Sequence, residues 1–235
     1  DRAPEGTDAS RTDTIIVTSF LPAAGEVKML SIPRDLWVSV PGYGENRINT
    51  AHFFAEVEQP RSGPQAAVNV VSQNFGLTLK YYARVRFDGF ARIVDSMGGI
   101  RLDLEEPTLG YPAGSVRLNG EQALAFARER RGSDDFFRMA HGQMVIKAAI
   151  RQMLRPAGLI RLPAVAVAMA AAVDTNVPIW LWPRLGFTLL RANGEGIDAR
   201  TINREMVTSW MTADGAQVLL SNWEAINPLL LEMFG

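Results

Sequence analysis

Apolar and β-branched residues dominate 14–20 (TIIVTSF) and 26–32 (EVKMLSI), with Pro22 and Gly25 in the stretch between them. Two strands joined as a hairpin are the expectation. LWVSV (36–40) continues extended after an interruption, Pro33-Arg34-Asp35, and PGYGENR (41–47) is punctuated as a loop. The period then lengthens. Residues 50–58 and 64–75 carry helical spacing, with Val68, Val71 and Phe75 on one face. KYYARVRF (80–87) alternates as a strand, and DGFARIVDSM (88–97) is a helix that Gly98 and Gly99 stop. A short strand (100–104) precedes a helix over 119–130 with Asn119 as its N-cap, and a longer helix (135–155) ends before Pro156. Beyond it the pattern predicts a helix at 163–173, an apolar segment at 179–192, extended chain at 196–208 and a last helix at 220–233. Strands and helices interleave without repeats or a low-complexity linker, so the expectation is one α/β domain over 1–235.

Composition changes this picture in three places. Of 235 residues, 47% are hydrophobic, enough for a sizeable core, and the net charge of −1 supplies no global field toward nucleic acid or an anionic membrane, so no nucleic-acid partner is expected. Lysine occurs only at 28, 80 and 147, so 21 of the 24 basic residues are arginine. Genome composition produces such a bias, and so does phosphate binding, because a guanidinium is a planar fork that matches two phosphate oxygens. Without cysteine, disulfides, thiolate metal sites and cysteine nucleophiles are excluded, and His52 and His141 are too few for a His-rich zinc site. The longest apolar stretch, LPAVAVAMAAAV (162–173), is too short to span a bilayer and reads as a buried helix.

The usual catalytic signatures are missing: GxxxxGK[ST], GxGxxG after a strand, HExxH and GxSxG. Arginines recur instead beside carboxylates or amides where predicted elements meet loops: DR (1–2), SRTD (10–13), PRD (33–35), NRIN (46–49) and RERRGSDDFFR (128–138). One such pair is ordinarily a solvated ion pair worth little. Five at element ends place charge where open α/β folds bind ligands. Asp1 and Asp13 flank a polar loop, and magnesium takes a few carboxylates together with phosphate oxygens. Arginines around such a unit suit phosphoryl transfer, where catalysis is largely positioning and charge neutralisation.

The order SRTDTIIV, LSIPRDLWVSVPG, RINTAH, YYARVRFDGFARIVDSMGGIRLDL and LNGEQALAFARERRGSDDFFR resembles the LytR-CpsA-Psr family over about residues 1–155, with VDTNV (173–177) and the final helix more weakly alike. The resemblance implies an α-β-α fold, a central mixed sheet flanked by helices on both sides, with a core at 1–155, a C-terminal extension at 156–235 and an apolar lipid cavity between sheet and helices. It implies a magnesium-dependent phosphotransferase that moves a glycopolymer from a polyprenyl pyrophosphate carrier onto peptidoglycan. Such an enzyme would work at the outer face of the cytoplasmic membrane, anchored by a helix outside this sequence. Hydrolysis of the same pyrophosphates, or binding without turnover, are the alternatives. By position, Asp1 and Asp13 are implied as Mg²⁺ ligands. Arg11, Arg34, Arg47, Asn49, Arg128, Arg130, Arg138 and Gln143 are implied to bind the pyrophosphate, and Arg34, Asp35, Arg128 and Arg130 to act in catalysis. Where the family often reads Arg-x-x-Arg-Gln-Gln, this chain has Arg138-Met-Ala-His141-Gly142-Gln143. Candidate lipid linings are Phe53, Phe54, Val68, Val71, Phe90, Ile93, Met97, Met144, Ile150 and Leu154.

Overall fold

The structure, a computed structural model, describes residues 9–129, 135–193 and 196–235. The elements in chain order are β1 (Ile15–Leu21), β2 (Glu26–Ile32), β3 (Leu36–Val40), β4 (Gly44–Arg47), α1 (Thr50–Glu58), α2 (Gly63–Phe75), β5 (Ala83–Val85), α3 (Phe87–Ser96), β6 (Ile100–Leu104), β7 (Gly114–Leu118), α4 (Gly120–Arg128) and α5 (Asp135–Leu154). They continue as α6 (Pro156–Ile160), α7 (Leu162–Ala172), β8 (Val173–Thr175), α8 (Trp182–Ala192), β9 (Ile197–Thr201), β10 (Val207–Met211), β11 (Gln217–Ser221) and α9 (Trp223–Phe234). The expected mixed α/β fold is present, with its strands shared among four sheets: β1-β2-β9, β10-β11-β3-β4, β5-β8 and β6-β7.

The chain forms two compact units. The first holds the residues up to Val17, Leu30–Tyr82 and Arg200–Gly235. Its core gathers Leu30 and Ile32 of β2, Leu36, Val38 and Val40 of β3, Val70, Val71 and Phe75 of α2, and Ile226 and Met233 of α9. Its four-stranded sheet is mixed: β11 runs parallel to β3, with Leu219 opposite Leu36, while β10–β11 and β3–β4 are antiparallel. The polar GENR of β4 reads as loop in the sequence. It becomes a strand because Gly42 and Gly44, at φ 84° and 68°, turn the chain back onto β3 and bring Arg47 opposite Trp37.

The second unit holds Thr18–Met29 and Ala83–Ala199. Its core joins Val94 of α3, Ile100, Leu102 and Leu104 of β6, Leu118 of β7, Phe126 of α4 and Val145 of α5. Gly98 and Gly99, at φ 81° and 85°, end α3 and feed β6 as their sequence predicts. Asn119 caps α4 with a reciprocal box: its Oδ1 accepts from Gln122 N at 2.8 Å, and Gln122 Oε1 accepts from Asn119 N at 3.0 Å.

Two expectations change here. The strand foreseen over 80–87 contracts to Ala83–Val85, because only that stretch finds a partner, β8. The helix foreseen within 163–173 forms as α7 but is not a buried one, since Val165 is its only buried residue. Among the described residues no helix is long and apolar enough to cross a membrane.

Candidate functional site

At the end of β2, Pro33 removes a backbone donor and the chain leaves the β1-β2-β9 sheet for the mixed sheet that contains β3. The turn between them is held by backbone bonds from distant segments. Leu36 N donates to Pro33 O (3.2 Å), Asn49 N to Arg34 O (3.3 Å), Ile48 N to Leu36 O (2.8 Å) and Leu219 N to Asp35 O (3.0 Å). Arg34 and Asp35 therefore sit on a clamped turn.

Their side chains form a line of alternating charge. Arg34 Nη1 lies 2.5 Å from Asp13 Oδ1, Arg34 Nε lies 3.4 Å from Asp35 Oδ2, and Asp35 Oδ1 lies 3.4 Å from Arg47 Nε. Arg47 Nη2 also donates to the carbonyl of Gln217 on β11 at 2.8 Å. Arg34 and Asp13 are only 14% and 13% exposed, so the Asp13–Arg34 pair is screened less than a surface ion pair. Burial raises the Asp13 carboxyl. Arg34's guanidinium beside it lowers it, and its pKa lies below the ordinary carboxylate value. Asn49, immediately before α1, is buried, and its Oδ1 accepts no hydrogen bond among the described residues. Such an atom in a native fold calls for a partner.

His52 was not singled out by the sequence. It is 3% exposed. Its Nδ1 is 2.9 Å from the carbonyl of Ser10, which can only accept, so Nδ1 carries the proton. Its Nε2 is 3.9 Å from Glu56 Oε1. A Cβ at Gly63 would fall 2.8 Å from that Nε2, so glycine there leaves room for the ring. His52 thereby ties down the chain three residues before Asp13. A lone histidine at helical spacing carries no sign of this in the sequence, because its partner is a backbone carbonyl.

The first unit thus brings together Asp13, Arg34, Asp35, Arg47 and Asn49, with Arg11 exposed two residues before Asp13. Arg128, Arg138 and Gln143 lie in the second unit. Arg128 ends α4 with its guanidinium carbon 4.3 Å from the centroid of the Phe87 ring, a cation–π contact. Arg138 and Gln143 are buried on α5. His141, between them, packs on Phe126 at 4.8 Å between ring centroids, and burial pushes its pKa below the ordinary histidine value. Asp1 and Arg130 lie outside the described residues.

The residues expected to line a lipid cavity divide in the same way. In the first unit, Phe54 stacks on Tyr43 at 4.3 Å and meets Phe53 edge-on at 5.8 Å, while Val68 and Val71 are buried. Val71 belongs to the hydrophobic core, so a larger residue there would overpack it at about 1–3 kcal/mol. In the second unit, Phe90 and Met144 pack on the core, Met97 is buried, and Ile93, Ile150 and Leu154 are half-buried.

Among the described residues no group of three or more His, Cys, Asp or Glu is placed to share a metal ion. Magnesium bound with a pyrophosphate needs only one or two carboxylates, the remaining ligands being phosphate oxygens and water. An ionised, half-buried Asp13 fits that smaller role.

The model of the LytR_cpsA_psr family matches residues 1–229. The regulatory protein MsrR of Staphylococcus aureus (strain COL) is 31% identical over 186 residues, 76% of this chain and 54% of MsrR. The polyisoprenyl-teichoic acid–peptidoglycan teichoic acid transferase TagU of Oceanobacillus iheyensis is 36% identical over 151 residues, 62% of this chain and 47% of TagU. The chain spans about half the length of these curated relatives. In structure it resembles TagV of B. subtilis, with a TM-score of 0.78 and 26% identity over 98% of this chain and 92% of TagV. A structure of TagT bound to LIIa-WTA shares the fold, with a TM-score of 0.74 and 20% identity over 95% of this chain and 84% of TagT.

Proposed function

Because the chain belongs to the LytR-CpsA-Psr family, we propose that it transfers a glycopolymer from a polyprenyl pyrophosphate carrier to peptidoglycan at the outer face of the cytoplasmic membrane. The observation that carries this reading is Arg34, held on a clamped turn between Asp13 and Asp35. The name of TagU, a teichoic acid transferase, supports a glycopolymer of that class.

In this mechanism a hydroxyl of peptidoglycan attacks the phosphorus that bears the glycopolymer. The bond to the bridging oxygen breaks, polyprenyl phosphate leaves, and the hydroxyl's proton passes to that phosphate or to water. Negative charge grows on the bridging and non-bridging oxygens as this happens. Arg34 and Arg47 supply forked donors toward those oxygens, and Asp35, lying between both guanidiniums, fixes their orientation. A preorganised site does not have to reorganise as the charge develops, which is the source of its catalytic value. Asp13, with Asp1, would hold Mg²⁺, which when bound neutralises phosphate charge and eases departure of the leaving group. The prenyl tail lies along the apolar side chains expected from the sequence, Phe53 and Phe54 among them.

The test is to incubate the protein with a lipid-linked saccharide donor, Mg²⁺ and peptidoglycan fragments. Saccharide covalently joined to peptidoglycan is the expected product. Release of free phosphorylated saccharide alone would make the protein a hydrolase, and unchanged donor that co-purifies with it would make it a binding module.

A further inference from the structure

We propose that α7, together with the 3-10 turn Ile179–Leu181 and α8, forms a surface that rests on a bilayer containing anionic lipid. This lies beyond the transfer reaction and does not depend on it. All of these elements belong to the second unit.

Of the fifteen large apolar side chains exposed among the described residues, eight fall between Leu159 and Leu190. α7 and α8 carry four of the eight, and the 3-10 turn two more. α7 is eleven residues without a polar side chain. Its inward side is made by buried Val165 and by Ala172, which meets α3 closely enough that a Cβ on Gly89 would lie 2.7 Å from the Ala172 Cβ. Ala168 and Met169 between them are half-buried, and the other residues of the helix face out, with Val167 72% exposed. A helix apolar on all sides belongs in a core or in lipid. α8 is apolar on both sides, with Leu185 and Leu189 half-buried and further apolar side chains outward. Thr188, fully buried with its hydroxyl donating to the Arg184 carbonyl at 2.8 Å, and Ala192 one turn on make the inward face. Pro183, Phe187 and Leu190, at i, i+4 and i+7, lie outward on the opposite side. The turn before the helix extends that strip with Ile179 and Trp180, 76% and 75% exposed.

Charge selects the occupant. From Arg155 to Arg191 the sequence has four basic residues and one acidic residue, Asp174, whose Oδ2 is 2.8 Å from Arg84 Nη2. Arg155, Arg161 and Arg184 are exposed beside the apolar residues. Arginine stems lie along apolar surface while their heads stay in the headgroup layer, and exposed tryptophan suits the same depth. A second copy meeting this face across a two-fold axis would bring an uncompensated basic surface against itself, which disfavours the dimer. An anionic bilayer complements both the apolar strip and its basic border.

The experiment is sedimentation of the whole chain with vesicles of phosphatidylcholine, with and without phosphatidylglycerol, alongside sedimentation equilibrium without lipid. Binding to the phosphatidylglycerol vesicles should fall by about tenfold or more for Trp180→Glu and for Phe187→Glu, and should weaken as salt shortens the screening length. Both positions are exposed, so thermal unfolding should be unchanged, and Trp210→Glu, an exposed tryptophan of the first unit, should bind as the parent does. No vesicle binding, or binding indifferent to both Trp180→Glu and Phe187→Glu, would overturn the proposal. So would self-association in solution that the same substitutions abolish, which would assign the face to a second copy.

Discussion

Removing the Arg34 guanidinium separates structural from catalytic work at the turn. Arg34→Ala deletes a 2.5 Å ion pair to Asp13 and a 3.4 Å contact to Asp35, and leaves both carboxylates without that cation. Fully exposed pairs are worth about 0–1 kcal/mol, and breaking a buried pair costs about 3–5 kcal/mol. With 14% and 13% exposure this pair lies between, so the expected loss is about 1–3 kcal/mol, read from the midpoint of urea unfolding. Transfer should fall further. Losing a donor that tightens in the transition state costs roughly 2–4 kcal/mol, or about 10²–10³ in rate. Arg34→Lys divides the two effects: an ammonium restores much of the pairing to Asp13 but lacks the fork that spans two phosphate oxygens. Stability should recover toward the parent value while transfer stays low in the donor-and-peptidoglycan assay. If either variant turned over within about threefold of the parent, the guanidinium would be a structural clamp and the site reading would fail.

Asp13→Asn should raise the Mg²⁺ concentration needed for half-maximal transfer while changing donor binding less, as a metal titration and a lipid-binding measurement would show. Because the Asp13 pKa lies below its ordinary 3.8, its ionised form stabilises the fold fully above that value, and the contribution disappears as pH falls through the native pKa; the Asn variant should lack that part of the acid-unfolding curve. His141, with a native pKa below its ordinary 6.5, contributes nothing to pH dependence well above that value. Below it the unfolded chain takes up a proton that the native ring resists, so stability declines, and urea midpoints for His141→Phe should be flatter between about pH 7 and 5. Asn119→Ala breaks the capping box of α4 and should cost about 1 kcal/mol, visible as a lower Tm.

Local chemistry made much of the fold legible. β2, β3, α1 and β6 fall where the apolar pattern and its punctuation put them, because each is bounded by proline, glycine or a change of period. The misses are elements made by pairing. The expected last helix starts at Leu220, inside QVLLS, yet all of Gln217–Ser221 is β11, held between β10 and β3. GSVRL was left unassigned and is β7, paired to β6 from Ile100–Leu118 to Leu104–Gly114. Both depend on partners far along the chain, which no window of sequence contains. The site divides likewise. Pro33-Arg34-Asp35 stood out because a guanidinium and a carboxylate interrupt a strand pattern. That Asp35 would also meet Arg47, and that His52 would hold Ser10, follows from tertiary placement alone.

The carbonyl of Gln217 that receives Arg47 lies 170 positions further along the chain, on the same strand whose Leu219 amide closes on Asp35. Synthesis runs from the amino end at a few residues each second, so the turn carrying Arg34 and Asp35 leaves the ribosome long before the strand that clamps it. Closing so long a loop is an entropic cost met only when β11 inserts beside β3. The ion pairs of the line all lie within residues 13–47, so they can form before β11 is made, whereas the two contacts that tie the turn to the sheet, Leu219 N to Asp35 O and Arg47 Nη2 to Gln217 O, wait for it. Loss of β11 would leave the charged pairs in place and the turn that carries them unclamped on one side.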